Sequence, residues 1–177
     1  MGDVPPDKTA TVTPSRAAGR INDVAIDYFS LLGDAATAEG WTPMVIDPAS
    51  RSQHWIDGTP LAKAPVDVAA TFDGAMWRST KIDPSFNLIG VKLRGGFMMP
   101  RHHQNLRQLV IVFGGELSVD DGDDADRTVG PGQFFVIGAG MPYTMTAGAD
   151  GATFVETWPE PVKKLETYWH DRGWVAG

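Results

Sequence analysis

Gly96-Phe97-Met98-Met99-Pro100-Arg101-His102-His103-Gln104-Asn105-Leu106-Arg107-Gln108-Leu109-Val110-Ile111-Val112-Phe113-Gly114-Gly115-Glu116 is the stretch on which the reading of this chain turns. It leaves a Gly-Gly turn, runs extended over a predicted strand Phe97–His103, crosses a polar interval, and enters the β-branched run Leu109–Phe113, which stops at a second Gly-Gly pair. Side chains alternate along a strand, so His102 and Gln104 share one face while His103 takes the other. A bulge between them would bring both histidines to the same side.

The same texture continues outward in both directions. Short apolar runs predict further strands over Met44–Ile46, Val66–Phe72, Met76–Ile82, Leu88–Leu93, Leu117–Val119, Phe134–Ile137, Thr144–Ala147 and Thr153–Trp158. Between them lie Asp73-Gly74, Asp83-Pro84, Gly130-Pro131-Gly132 and the acidic Asp120–Asp126, at intervals of about ten residues, the signature of an antiparallel β-sandwich or barrel. Two helices are expected outside the barrel. Ile21, Val24, Ala25, Tyr28, Leu31 and Leu32 recur at helical steps within Ile21–Glu39, and Val162, Leu165, Tyr168 and Trp169 do so within Pro161–His170. Residues 1–20 lack any such pattern and read as a disordered tail. The expected organisation is one domain over residues 21–177, with a barrel core at about 66–158 and a C-terminal helix at about 160–172, closed by Trp158, Trp169 and Trp174 against the barrel or a second subunit.

Composition narrows the chemistry. The 177 residues include no cysteine, which removes disulfide scaffolds, thiolate metal sites and cysteine nucleophiles, and leaves any metal to His, carboxylate, amide or phenol ligands. There are four histidines: His54, His102, His103 and His170. A formal charge of -7 disfavours nucleic acid as a partner. No apolar run approaches the roughly 20 residues that span a bilayer, and the first residues carry no leader pattern. The expectation is a cytoplasmic protein with neither a membrane nor a nucleic-acid partner.

Two segments resemble the motifs of the cupin superfamily. The first, G-x5-H-x-H-x3-E-x6-G, is matched by Gly96, His102 and Gly115, with Gln104 at the second His position and Gln108 at the Glu position. The second, G-x5-P-x-G-x2-H-x3-N, is matched by Gly132 and Gly140, with Gly138 for the Pro, Tyr143 for the His and Ala147 for the Asn. The resemblance implies an all-β, double-stranded β-helix (jelly-roll) barrel with its site in the barrel mouth, and a homodimer. It also implies a single Fe, Mn, Ni, Cu or Zn ion at the positions of His102, Gln104, Gln108 and Tyr143. His103 joins that set if a bulge turns it inward, or if Arg101 and His103 are the inward pair. One imidazole, two amides and a phenol make a mixed set with no strong hold on such an ion.

Three functions remain in play. The first is a mononuclear metal enzyme of dioxygenase, isomerase or lyase type acting on a small, partly apolar carbonyl or aromatic compound. The second is a metal-free enzyme in which His102 is the general base, Tyr143 and a glutamine amide donate to a developing oxyanion, and Arg101 orients an acidic group. The third is a ligand-binding protein without turnover. Met98, Met99, Phe135, Ile137 and Met141 are expected core residues, some of which would line an apolar pocket. Asp120–Asp126 lacks the spacing of a calcium loop and reads as an exposed hairpin tip. His54 and His170 read as surface histidines, with His54 held as a weaker candidate for an extra ligand.

Overall fold

The computed structural model describes residues 30–32, 40–61, 72–79, 82, 85–122 and 127–170. Among the described residues ten strands follow one another: β1 Trp41–Pro43, β2 Gln53–Trp55, β3 Met76–Ser79, β4 Leu88–Leu93, β5 Met98–Gln104, β6 Gln108–Asp120, β7 Arg127–Val129, β8 Phe134–Ile137, β9 Tyr143–Thr157 and β10 Thr167–Trp169. They form one continuous sheet that folds over on itself, because its two longest strands, β6 and β9, each serve two layers. The first half of β6 and the second half of β9 pair with each other and lie between β8 and the run β4, β3 and β1. Their other halves lie between β7 and the run β5, β10 and β2.

The crease is written in glycine. The pairing of β6 with β9 slips between Val112 and Gly114 and again between Gly115 and Leu117. Gly115 takes a φ of 65°, a left-handed conformation that an L side chain resists. Inward phases of the alternation fill the interior with Val91 and Leu93 from β4, Val110, Val112 and Leu117 from β6, and Met145 and Phe154 from β9. At about 25 cal/mol per Å2 of apolar surface removed from water, these side chains supply the main stabilising contribution.

Several expected elements change. Pro161–His170 is not a helix: a 3-10 turn at Val162–Lys164 is followed by β10, which runs parallel to β2 and antiparallel to β5. Its apolar spacing fits a helix by coincidence, since Trp169 turns inward while Tyr168 faces out, the two-residue period of a strand. Met44–Ile46 gives way to β1 three residues earlier, and of the expected Met76–Ile82 the residues Met76–Ser79 form β3, with 80 and 81 outside the described residues. Leu109–Phe113 and Leu117–Val119 are one strand, as are Thr144–Ala147 and Thr153–Trp158 short of Trp158 itself, which lies just past the end of β9. The tail at 1–20, most of Ile21–Glu39, and Val66–Phe72 apart from Phe72 lie outside the described residues. Among the described residues, no helix is long and apolar enough to cross a membrane.

Candidate functional site

The site begins at a bulge. The pairing of β5 with β9 slips between Met99 and His102, after which His102 stands opposite Tyr143. The slip leaves the two histidines on opposite faces. His102 and Gln104 are buried in the interior, whereas His103 faces out and stacks on Tyr168. His103 is therefore not in the barrel, and the shifted register with Arg101 inward does not occur. Arg101 reaches along the rim, with Nη2 at 3.4 Å from the Asp121 carbonyl and Nη1 at 3.9 Å from the Asp120 carboxylate.

His102 Nδ1 donates to the Pro100 carbonyl at 2.8 Å, which makes it the protonated nitrogen and leaves Nε2 with its lone pair. Burial depresses its pKa to about 4, opposed by the Pro100 bond and assisted by His170 and His103. The imidazole lies between two aromatic rings, with centroids 4.4 Å from Tyr143 and 5.0 Å from Trp169. Tyr143 donates to Gln108 Oε1 at 3.0 Å, and burial, helped by Glu156, holds its phenol well above the ordinary range. Gln104 Oε1 accepts from Trp158 Nε1 at 2.9 Å.

The remaining member is Glu156, which faces inward on β9 beside Val110. Burial raises its carboxyl to about pH 7, while the neighbouring Gln108 amide favours the ionised form. Gln108 Nε2 makes no hydrogen bond of full geometry, so its influence on the carboxylate is that of a nearby dipole. Glu156 escaped the motif comparison because neither motif reaches it. Its signal was there in the alternation: Phe154, Glu156 and Trp158 share one phase of a strand, and an acid in an apolar phase is a buried charge requiring explanation.

His102, Gln104 and Glu156 face one cavity of about 100 Å3, whose other walls include Met76, Met99 and Trp169. Tyr143 instead lines a separate cavity of about 190 Å3 with Arg127, Phe135 and Met141. The His102 and Tyr143 rings thus stand between two compartments. Of the residues expected to line a pocket, Met99 belongs to the first and Phe135, Ile137 and Met141 to the second, while Met98 is exposed.

No family model matches the chain, and no curated protein matches it. Solved structures that it resembles include the DMSP lyase DddQ from Ruegeria pomeroyi DSS-3, at 16% identity over 46% of this chain and 41% of that one, with a TM-score of 0.43. KdgF from a Halomonas species aligns at 21% identity over 49% of this chain and 82% of that one, with a TM-score of 0.41. Oxalate decarboxylase from Bacillus subtilis, a protein with Mn(II) centres, aligns at 18% identity over 54% of this chain and 28% of that one, with a TM-score of 0.44. The chain thus spans less than half the length of the lyase. What decides the fold is internal: Gly96, Gly115 and Gly132 all take positive φ, and His102, Gln104, Gln108 and Tyr143 all turn into the same folded-over sheet. The fold is of the cupin type.

The resemblance to cupins implies a metal in the barrel mouth, and the donors described there do not fit one. Gln104 Oε1 is taken by Trp158, Gln108 Oε1 by Tyr143, and the Tyr143 phenol is a neutral donor. His102 Nε2 and the Glu156 carboxylate are what remain, and no group of three His, Asp or Glu residues forms a metal cluster among the described residues. The bond from Trp158 is also structural. Trp158→Phe strands a buried amide oxygen and is expected to cost about 1–3 kcal/mol in urea unfolding. An unchanged unfolding midpoint would show that Gln104 finds another partner.

Proposed function

We propose that this cupin is a metal-independent acid–base enzyme that moves a proton next to the carbonyl group of a small, partly apolar compound. One observation carries the reading: a carboxyl titrating near pH 7 and an imidazole held neutral converge on one mostly apolar cavity. Environments that push two titratable groups apart in this way suit acid–base work at neutral pH. Ionised Glu156 takes the proton from the carbon beside the carbonyl. Charge then builds on the carbonyl oxygen, where Gln104 Nε2 donates to it, its own Oε1 being pinned by Trp158. Protonated Glu156 returns the proton to the same or a conjugated carbon, so the step balances without a co-reactant. His102 Nε2 accepts a hydroxyl hydrogen bond from the bound molecule and sets its orientation. This reading moves the base from His102 to Glu156 and leaves Arg101 at the rim.

A cavity of about 100 Å3 limits the molecule to a few heavy atoms. The test is deuterium exchange followed by NMR, with small apolar ketones and hydroxyketones incubated with tag-free protein in D2O. Exchange at the carbon beside the carbonyl is expected to persist in the presence of a chelator and to fall by about 10²- to 10⁴-fold in Glu156→Gln. Exchange abolished by the chelator would favour a metal enzyme. Tight binding without exchange would favour a carrier.

A further inference from the structure

Three of the four histidines lie on the outer face of the β2, β10 and β5 layer, away from the barrel interior. His54, Tyr168 and His103 occupy one row across it, paired in register strand to strand. The Tyr168 ring lies 4.8 Å from His103 at an interplanar angle of 5°, and 5.0 Å from His54. Tyr168 is itself held by a bond to Glu166 at 2.9 Å. This stack fixes the plane of the His103 ring. Its Nδ1 then points at His170 Nε2, 2.6 Å away, with the two rings at 75°. His170 directly follows β10 and is tied to β5, since its backbone N–H donates to the Arg101 carbonyl at 3.0 Å.

From this geometry we infer that His103 Nδ1 and His170 Nε2 form an external two-imidazole site for a borderline transition-metal ion of the Cu(II), Ni(II) or Zn(II) class, with water completing the shell. Without metal the two nitrogens share one proton. Metal–nitrogen bonds of about 2.0–2.1 Å at angles between square and tetrahedral set the two nitrogens about 2.9–3.4 Å apart, so the pair opens by about half an ångström and the rings swing by roughly 35–45° to aim both lone pairs at the ion. The shared proton passes to the outer nitrogen of its own ring, and both imidazoles ligate in neutral form. Burial lowers the pKa of both rings, which keeps the lone pairs available at neutral pH. Arg101 is the cation acting on His170, and it is drawn toward Asp120 and the Asp121 carbonyl. Ligand type favours Cu(II), the tightest divalent ion for nitrogen donors. The pair lies outside the barrel, on the face of β5 opposite His102.

Calorimetric titration of the full, tag-free chain with Cu(II), and separately with Zn(II), tests it. One ion per chain is expected, with affinity falling at least about 10- to 100-fold in His103→Ala and in His170→Ala. His102→Asn, inside the barrel, should bind as the parent does. Far-UV circular dichroism checks each variant, and His170→Asn serves if His170→Ala unfolds. Undiminished binding by folded His103 and His170 variants, loss of binding in His102→Asn alone, or absence of any binding at micromolar metal would each overturn the assignment.

Discussion

Replacing Glu156 by glutamine is expected to yield a protein that gains stability relative to the parent as pH rises from 4.5 to 7, by about 3 kcal/mol across that window. Burial raises the carboxyl from 4.5 to about 7, so between those values the folded chain holds a proton that the unfolded chain has released. Stability contributed by the neutral acid is complete below 4.5 and is lost as pH climbs through 7. Glutamine removes that loss. His102 works with the opposite sign. Its pKa falls from 6.5 to about 4, so the unfolded chain binds the proton first, and stability complete above 6.5 is lost as pH drops through 4. His102→Asn should therefore lose about 3 kcal/mol relative to the parent as pH rises from 4 to 6.5. In the parent the two slopes oppose each other between 4.5 and 6.5 and largely cancel. Urea unfolding of the three proteins at half-unit pH steps reads the differences directly, because surface groups contribute equally to all three. Curves that run parallel would mean that neither group changes its proton affinity on folding.

Gly115→Ala should be the most damaging single methyl in the barrel, costing about 2–4 kcal/mol. Part of this is the left-handed φ, worth about 1 kcal/mol for any L residue. The larger part is contact, since a Cβ here would press into the Gly151 carbonyl at the crease where the pairing of β6 with β9 slips. Backbone carbonyls inside a sheet cannot swing aside as the end of a side chain can. Gly132→Ala separates the two contributions: Gly132 has a φ of 80° but nothing within 4 Å of the methyl that alanine would add, so it carries the conformational cost alone. Equal shifts in the urea midpoints of the two variants would remove the steric argument.

Much of the barrel was legible because alternation, glycine pairs and turn residues are local signals. Leu88–Leu93 and Phe134–Ile137 coincide with β4 and β8 to the residue. Short strands that depend on a neighbour were not legible. β2, β7 and β10 have three residues each, too few to show a period, and β10 imitates a helix until its pairing with β5 and β2 is known.

The candidate site divides along the same line. Sequence spacing alone placed His102 and Gln104 on one face and left His103 conditional on a bulge, because strand alternation is a property of the backbone. Only the tertiary structure put the slip before His102 rather than between the histidines, and so sent His103 out to meet His170. It alone brought Glu156, 48 residues beyond Gln108, into the same interior. Partners this far apart are chosen by how the sheet folds over, and with them come the burial and hydrogen bonds that set each donor's charge. The residues that can hold a proton were countable from the chain. Which of them are spent on one another, and which face the cavity, was decided by the fold.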